Sequence, residues 1–196
     1  MATEISFPLK ASGKHGQLLV GVTGGDYYEI NRDGKVFSAA AVTVTIPAIA
    51  ATLVSVFSLY NPRNSGIVME LIDTQIDSVL ATTVVNTYSW YFSADKNADT
   101  ATFTTKGTAQ SGAIDGGPAG NKGQFYSALT HVGTPVVWKP IGSNWAVTST
   151  AAGSIYKAFN GSAIIMPGTV ISIAGSTAAG TTSGNSLSAT WAEWAL

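Results

Sequence analysis

The chain has 196 residues, of which 45% are hydrophobic and 11% are charged, with no cysteine and a formal net charge of −1. This composition excludes a disordered tail, and the length is sufficient for one self-supporting hydrophobic core. The lack of cysteine excludes zinc–thiolate sites and thiol catalysis, and the ten Lys and Arg residues are too scattered for a nucleic-acid-binding surface.

Residues 1–35 form the least regular part of the sequence. They contain one predicted strand, Gln17–Val22, and the pattern of residues 1–9 predicts no secretion signal. The chain has ten basic and eleven acidic residues, and eight of these charged residues, of both signs, lie here: Glu4, Lys10, Lys14, Asp26, Glu29, Arg32, Asp33 and Lys35. We expect residues 1–35 to be an N-terminal arm that attaches the protein to a partner, and residues 36–196 to form a single β-sandwich domain.

Period-two alternation, which is typical of β-strands, dominates the sequence after residue 35. Val42, Val44 and Ile46 alternate with threonines, and Leu53–Tyr60 repeats the pattern. Further strands are predicted at Ile67–Ile76, Val84–Ser93, Ala101–Thr105, Phe125–Val132, Pro135–Lys139, Ile155–Met166, Thr169–Ala174 and Leu187–Trp194. The uncharged stretch 36–62 is as long as a membrane span, but its alternation and Pro47 argue against one, and no membrane contact is expected.

Turn residues separate these strands at short intervals. The clearest turn signals are Gly24-Gly25-Asp26, Asn31–Gly34, Asn61–Gly66, Asn160-Gly161 and Pro167-Gly168. Two longer stretches rich in Gly, Ala, Ser and Thr, Lys106–Gly123 and Gly175–Ser186, are expected to be surface loops or subunit contacts. About ten strands and almost no helix predict an all-β protein, an antiparallel sandwich or barrel.

Three stretches resemble a recurring element in structural proteins of tailed bacteriophages. They are Phe57–Leu71, which contains Asn61-Pro62 and a Ser-Gly turn, Phe159–Ile173, and the closing Ala189–Trp194. The resemblance implies a jelly-roll-like β-sandwich in which Asn61-Pro62 closes one strand, Asn160-Gly161 starts a late hairpin, and Pro167-Gly168 leads into the penultimate strand. It covers roughly residues 36–196.

This resemblance also implies a role. Proteins of this kind sit on the virion as head decoration (cement) proteins, head spikes or fibre parts, commonly as trimers. The expected partners are therefore further copies of the chain and the major capsid protein or another virion protein, on the capsid surface after synthesis in the host cytoplasm. The expected role is architectural, without enzymatic activity, cofactor or metal.

Few residues suggest catalysis. A Ser/His/Asp triad would have to use His15 or His131, no Gly-x-Ser-x-Gly motif is present, and His131 ends an apolar strand, which favours a surface or packing histidine.

Glu70, Asp73 and Asp77 form the densest acidic group. On a strand, Asp73 and Asp77 would share a face about 13 Å apart, too far for a glycosidase pair, so a solvated strand edge is the better interpretation.

Two motifs imitate binding loops incompletely. Asp95, Asn97 and Asp99 resemble the first half of a calcium loop, but Thr100 and Lys106 stand where that loop needs glycine and glutamate. A polar loop tip is favoured, with a calcium ion shared between subunits as the alternative. The glycine-rich stretches 21–25 and 112–123 precede no predicted helix, which argues against phosphate binding.

Aromatic residues and missing charge point to association. Tyr88, Trp90 and Phe92 alternate with Ser89, Tyr91 and Ser93, so one set should fill the core while the other faces outward, to a subunit interface or a sugar. Residues 158–192 contain no charged side chain, as expected of a surface covered by neighbours. The candidate interface residues are Phe7, Tyr27, Tyr28, Trp138, Trp145, Trp191 and Trp194. The competing hypothesis is a carbohydrate- or receptor-binding module of a tail fibre or spike.

Overall fold

The protein is an antiparallel all-β sandwich, as the sequence predicted. A computed structural model describes residues 30–31, 33–45, 54–80, 86–93, 102–112, 120–131, 135–144, 153–177 and 184–196. The strands within these residues are β1 (Val36–Thr45), β2 (Val54–Ser55), β3 (Ser58–Asn61), β4 (Ile67–Leu80), β5 (Asn86–Ser93), β6 (Thr102–Lys106), β7 (Gln110–Ser111), β8 (Gln124–Thr130), β9 (Pro135–Asn144), β10 (Ser154–Ala158), β11 (Ile164–Ile165), β12 (Thr169–Thr177) and β13 (Gly184–Ala195).

The strands form two sheets with the connectivity of a jelly roll. Sheet I has the order β10-β4-β13-β1-β7, with β11 also paired to β4, and sheet II has the order β2-β8-β3-β12-β5-β9, with β6 paired to β8. The fold has eight main strands, which are β1, β3, β4, β5, β9, β10, β12 and β13. The first pairs with the last (β1–β13) and the third with the sixth (β4–β10) in sheet I. The second pairs with the seventh (β3–β12) and the fourth with the fifth (β5–β9) in sheet II. This is the double Greek key of a jelly roll.

Strands β6, β7 and β8 are an insertion between the main strands β5 and β9. They lengthen both sheets on the same side of the sandwich, because β7 pairs with β1 in sheet I and β8 pairs with β2 and β3 in sheet II. Part of the predicted long loop 106–123 is therefore strand β7. The predicted loop 175–186 is also shorter than expected, since β12 runs to Thr177 and β13 begins at Gly184.

The core lies between the two sheets. Sheet I contributes Phe37, Met69, Leu71, Ile76, Leu187 and Trp191, sheet II contributes Leu59, Trp90, Phe125, Ile171 and Ile173, and the bend between β2 and β3 contributes Phe57. Two buried polar contacts also cross the core: Trp90 Nε1 donates to Thr74 Oγ1 at 3.0 Å, and the Tyr88 hydroxyl donates to Asn185 Oδ1 at 3.3 Å. These contacts give hydrogen-bond partners to the polar atoms of two large buried aromatic side chains.

Predicted turns lie between the strands. Gly34, Gly66, Asn160, Gly161 and Gly168 all have positive φ values. As the resemblance implied, Asn61 ends β3, and Pro167-Gly168 precedes β12, the penultimate strand. The implied hairpin at Asn160-Gly161 is wrong, because this turn separates β10 from β11 and both strands pair antiparallel with β4 in the same direction. Glycine and asparagine adopt this left-handed conformation at low cost, so these local signals fix the turns.

Asn61 connects strands β3, β4 and β11 through its side chain. Its fully buried side-chain amide donates 2.9 Å hydrogen bonds to the carbonyl oxygens of Ile67 and Ile165, and its Oδ1 accepts one of 2.6 Å from the Ser65 hydroxyl. It thereby holds the β3–β4 turn against β11 at one end of the sandwich.

A buried carboxylate anchors the insertion to sheet I. Glu193 on β13 accepts hydrogen bonds from the backbone N–H groups of Lys122 at 3.0 Å and Gly123 at 2.7 Å, and from Trp191 Nε1 at 3.2 Å. A Cβ atom on Gly123 would lie 2.6 Å from Met69 Sδ and 2.9 Å from Glu193 Oε1, so any larger residue would require these side chains to shift. The insertion therefore closes its side of the sandwich through specific contacts as well as strand pairing.

Part of the outward side of sheet II, around β3 and β12, is also buried. Tyr60 and Val170 pair with each other next to the inward pair Leu59 and Ile171, and they form a separate apolar cluster with Leu129. Ser58 and Ser172 lie on the same side with no solvent exposure. Sheet I, in contrast, has several exposed residues on its outward side, including Gln75 and Tyr156.

Replacing Asn61 with alanine is expected to lower the free energy of unfolding by about 2–4 kcal/mol, because two buried carbonyl oxygens lose their donors. Urea denaturation would measure the change. Asn64→Ala in the same turn is the matched control, since Asn64 is exposed. Equal losses in the two variants would contradict the proposed role of Asn61.

Candidate functional site: the apolar edge and the acidic face

The side of the sandwich opposite the insertion is open. Strands β9 and β10 end their sheets here, and on their outer sides they pair with no strand of the described residues. The two edges lie close together, since a Cβ atom on Gly142 of β9 would be 2.8 Å from Cγ2 of Ile155 on β10. Both edges are therefore presented on one side of the molecule.

Exposed apolar residues concentrate on this open side. Seven large hydrophobic side chains of the described residues are clearly exposed, and five of them lie on β9, β10 and β11 or directly after β11. We name these five the apolar edge: Val136, Val137, Tyr156, Ile164 and Met166. Clustered apolar exposure of this kind marks interaction surfaces more often than scattered single residues do.

The pairing of β10 and β11 with β4 determines which side chains are exposed. Ile155 and Ile165 pack on the core, so Tyr156 and Ile164, their chain neighbours, point to the outward side of sheet I. Between the two strands, Phe159 and Ala163 both turn inward around the Asn160-Gly161 turn. The turn thus lets the chain leave β4 and rejoin it further along.

The acidic group predicted at a strand edge lies instead on an interior strand. β4 is flanked by β10 and β11 on one side and by β13 on the other, so Glu70, Asp73 and Asp77 sit inside sheet I. The prediction of an edge was wrong because the number of strands beyond β4 depends on long-range pairing. We name the outward side of sheet I around Glu70, Asp73, Gln75 and Asp77 the acidic face.

Neutral groups hold two of these carboxylates. Gln75 Nε2 donates to both carboxylate oxygens of Asp77, at 2.9 and 3.1 Å. Burial raises the pKa of Asp73, and hydrogen bonds from Thr190 and Tyr156 oppose that shift. The Tyr156 side chain is therefore held over the acidic face although 64% of its surface is exposed.

The four predicted interface tryptophans have different environments. Trp191 packs in the core beside Phe37 with no exposed surface, so the expectation that it contacts a partner is corrected. Its inward direction follows from its pairing with Leu71. Trp138 packs partly against the core, whereas Trp194 is half-buried and donates from Nε1 to Glu70 Oε2 at 2.8 Å. Trp145, Phe7, Tyr27 and Tyr28 lie outside the described residues.

The sequence analysis missed the five residues of the apolar edge. A signal was present, because Val136-Val137, Ile155-Tyr156 and Ile164-Ile165-Met166 place apolar residues on consecutive strand positions. Consecutive side chains of a strand point to opposite faces, so such runs indicate apolar groups on both faces. Only the fold shows that one of those faces is on the open side.

His131 takes part in a buried chain of hydroxyl groups. Its Nε2 lies 2.6 Å from Ser172 Oγ, which lies 2.6 Å from Ser58 Oγ. Ser58 donates onward to Ser55 Oγ at 2.9 Å, and Ser55 donates to the carbonyl oxygen of Phe57 at 2.8 Å. Each hydroxyl has one proton, so Ser172 must donate to Ser58 and accept from His131.

This order of protons is opposite to that of a catalytic Ser–His pair, in which the histidine accepts the serine proton. Nδ1 of His131 is buried and has no hydrogen-bond partner among the described residues, where a triad would place a carboxylate. His131 and Ser172 also have no solvent exposure. The pair is therefore a packing element, as the sequence favoured for His131.

Other site types receive no support from the described part of the chain. It contains no group of three His, Asp or Glu residues placed to hold a metal ion. The calcium-like segment Asp95–Asp99 lies outside the described residues. No helix among the described residues has the length and hydropathy to span a membrane.

Comparisons with known proteins give no relative from which a function could be transferred. No family model matches the chain, and no curated protein or solved structure has significant similarity to it.

His131 is expected to make the protein less stable in mild acid. Burial lowers the pKa of His131 from 6.5 to about 4. The folded state binds a proton on His131 less well than the unfolded chain does. The contribution of neutral His131 to the free energy of unfolding is therefore complete above pH 6.5. It is lost as the pH falls toward 4, by up to about 3 kcal/mol.

Urea denaturation between pH 7.5 and 4.5 would measure this loss. His131→Gln should flatten the pH dependence, whereas His15→Gln, which changes the only other histidine, should leave it as in the wild type. Asp73 titrates in the opposite sense, since its raised pKa favours the folded state in acid, so the comparison uses the difference between wild type and variant. Parallel curves for wild type and His131→Gln would contradict the assignment.

Proposed function

We propose that this protein is a structural component of a bacteriophage virion, most simply a capsid decoration (cement) or minor head protein that forms a homo-oligomer and binds the capsid surface. The observation that carries the proposal is the apolar edge on the open side of a jelly roll whose opposite side is closed by its own insertion. The resemblance of three segments to phage structural proteins supplies the virion context.

The mechanism is mechanical. Each copy would bury apolar surface against its neighbours, at about 25 cal/mol per Å², and repeated copies would bridge adjacent capsid subunits. Individually weak contacts add when many sites are linked on one surface. A charge-poor surface suits this role, because charged residues are depleted at the centres of subunit interfaces.

One observation favours the carbohydrate- or receptor-binding alternative. Tyr156 and Trp194 both present aromatic rings on the outward side of sheet I, and each ring's polar atom is bonded to a carboxylate of β4. Fixed aromatic rings beside carboxylates and amides can stack on sugar rings and accept their hydroxyl protons. A glycan array distinguishes the two functions, since binding that is lost in Tyr156→Ala would favour this alternative.

The proposed function predicts an oligomer that binds phage heads. Light scattering behind a sizing column should give a multiple of the 20.2 kDa chain mass, three being expected, and the protein should co-sediment with empty heads. An unrelated soluble β-sandwich protein controls for trapping in the pellet. A monomer that stays in the supernatant at all head concentrations would contradict the proposal.

A further inference from the structure

Two adjoining surfaces of the molecule carry opposite charge. Strands β9, β10 and β11 contain Lys139 and Lys157 and no acidic residue. The acidic face beside them contains Glu70, Asp73 and Asp77, and no Lys or Arg of sheet I's described strands lies on it. The two surfaces meet along β10.

Four of these charges, on Lys139, Lys157, Asp73 and Asp77, have no ion-pair partner within the described part of the chain. Neither Lys139 nor Lys157 forms an ion pair with a described residue. Asp77 is held by the neutral amide of Gln75, and Asp73 by the hydroxyl groups of Thr190 and Tyr156. Each surface thus has charge available for a partner of opposite sign.

The acidic face belongs to a surface of suitable size for a subunit contact. The outward side of sheet I spans four strands, about 4.8 Å apart, and about twelve residues with a rise of about 3.3 Å, which gives roughly 750 Å². A standard protein interface buries about 800 Å² on each partner. Val68 and Trp194 add apolar area at one end of this surface.

We propose that the apolar edge of one copy packs on the acidic face of the next copy, with Lys139 and Lys157 of the first near Asp73 and Asp77 of the second. The occupant is a second copy because the chain itself supplies both complementary surfaces. A contact between two different surfaces is heterologous, and it closes into a ring when the rotation between copies divides a full turn. This inference rests on the self-association in the proposed function and identifies the surfaces that carry it.

Charge reversal in the full chain tests the pairing. Lys157→Glu and Asp77→Lys should each raise the dissociation constant at least about tenfold, because each variant places like charges across the contact. The double variant K157E/D77K restores opposite charges at every contact of a ring and should recover most of the wild-type affinity. Such recovery is the non-additivity expected of groups in contact. The matched control is Lys106→Glu, which reverses an exposed lysine on the insertion side.

Light scattering across a dilution series measures the dissociation constants, and circular dichroism verifies that each variant is folded. If wild type assembles and both single variants assemble as well as K106E, this inference fails while the proposed self-association stands. Weakened single variants without recovery in K157E/D77K also overturn it. A monomeric wild type at every concentration overturns the self-association as well.

Discussion

The ladder between β4 and β13 determines what each face of the molecule presents. It is the longest in the structure, from Gly184 opposite Leu80 to Ala195 opposite Ile67. An irregularity between Thr190 and Trp191 places Leu71 and Asp73 opposite consecutive residues of β13. In uninterrupted alternation, Glu70 and Asp73 would point to opposite faces. The bulge puts both on the outward side, so the acidic face depends on one extra residue in β4.

The insertion between β5 and β9 gives the sandwich two unlike sides. Open sheet edges promote aggregation, because their unpaired backbone N–H and C=O groups can pair with strands of other chains. Here the insertion extends one side with β7 and β8, and Glu193 fixes it in place. The other side has one lysine on each of its edge strands β9 and β10, which limits uncontrolled strand pairing, together with exposed apolar residues that favour a defined contact. This asymmetry is the structural basis of the proposed assembly.

Local signals in the sequence predicted the strands and turns well. Asn61-Pro62, Asn160-Gly161 and Pro167-Gly168 act through the conformations of their own backbones, so no knowledge of distant residues is needed. The complete burial of Trp191 and the half-burial of Trp194 were not predictable in the same way. Their spacing on a strand indicates opposite faces, but only the pairing of β13 with β4 shows which face meets the core. The interior position of β4 and the burial of Tyr60 and Val170 on the outward side of sheet II likewise depend on long-range contacts.

The central claim is that the open side formed by β9, β10 and β11 is where copies meet. Hydrogen–deuterium exchange of the wild-type protein at assembling and dissociating concentrations tests it most directly. The account predicts slower exchange on assembly in peptides that cover Pro135–Asn144, Ser154–Ile165 and the outward residues of β4, with no change in β7. Protection confined to the insertion strands would contradict it.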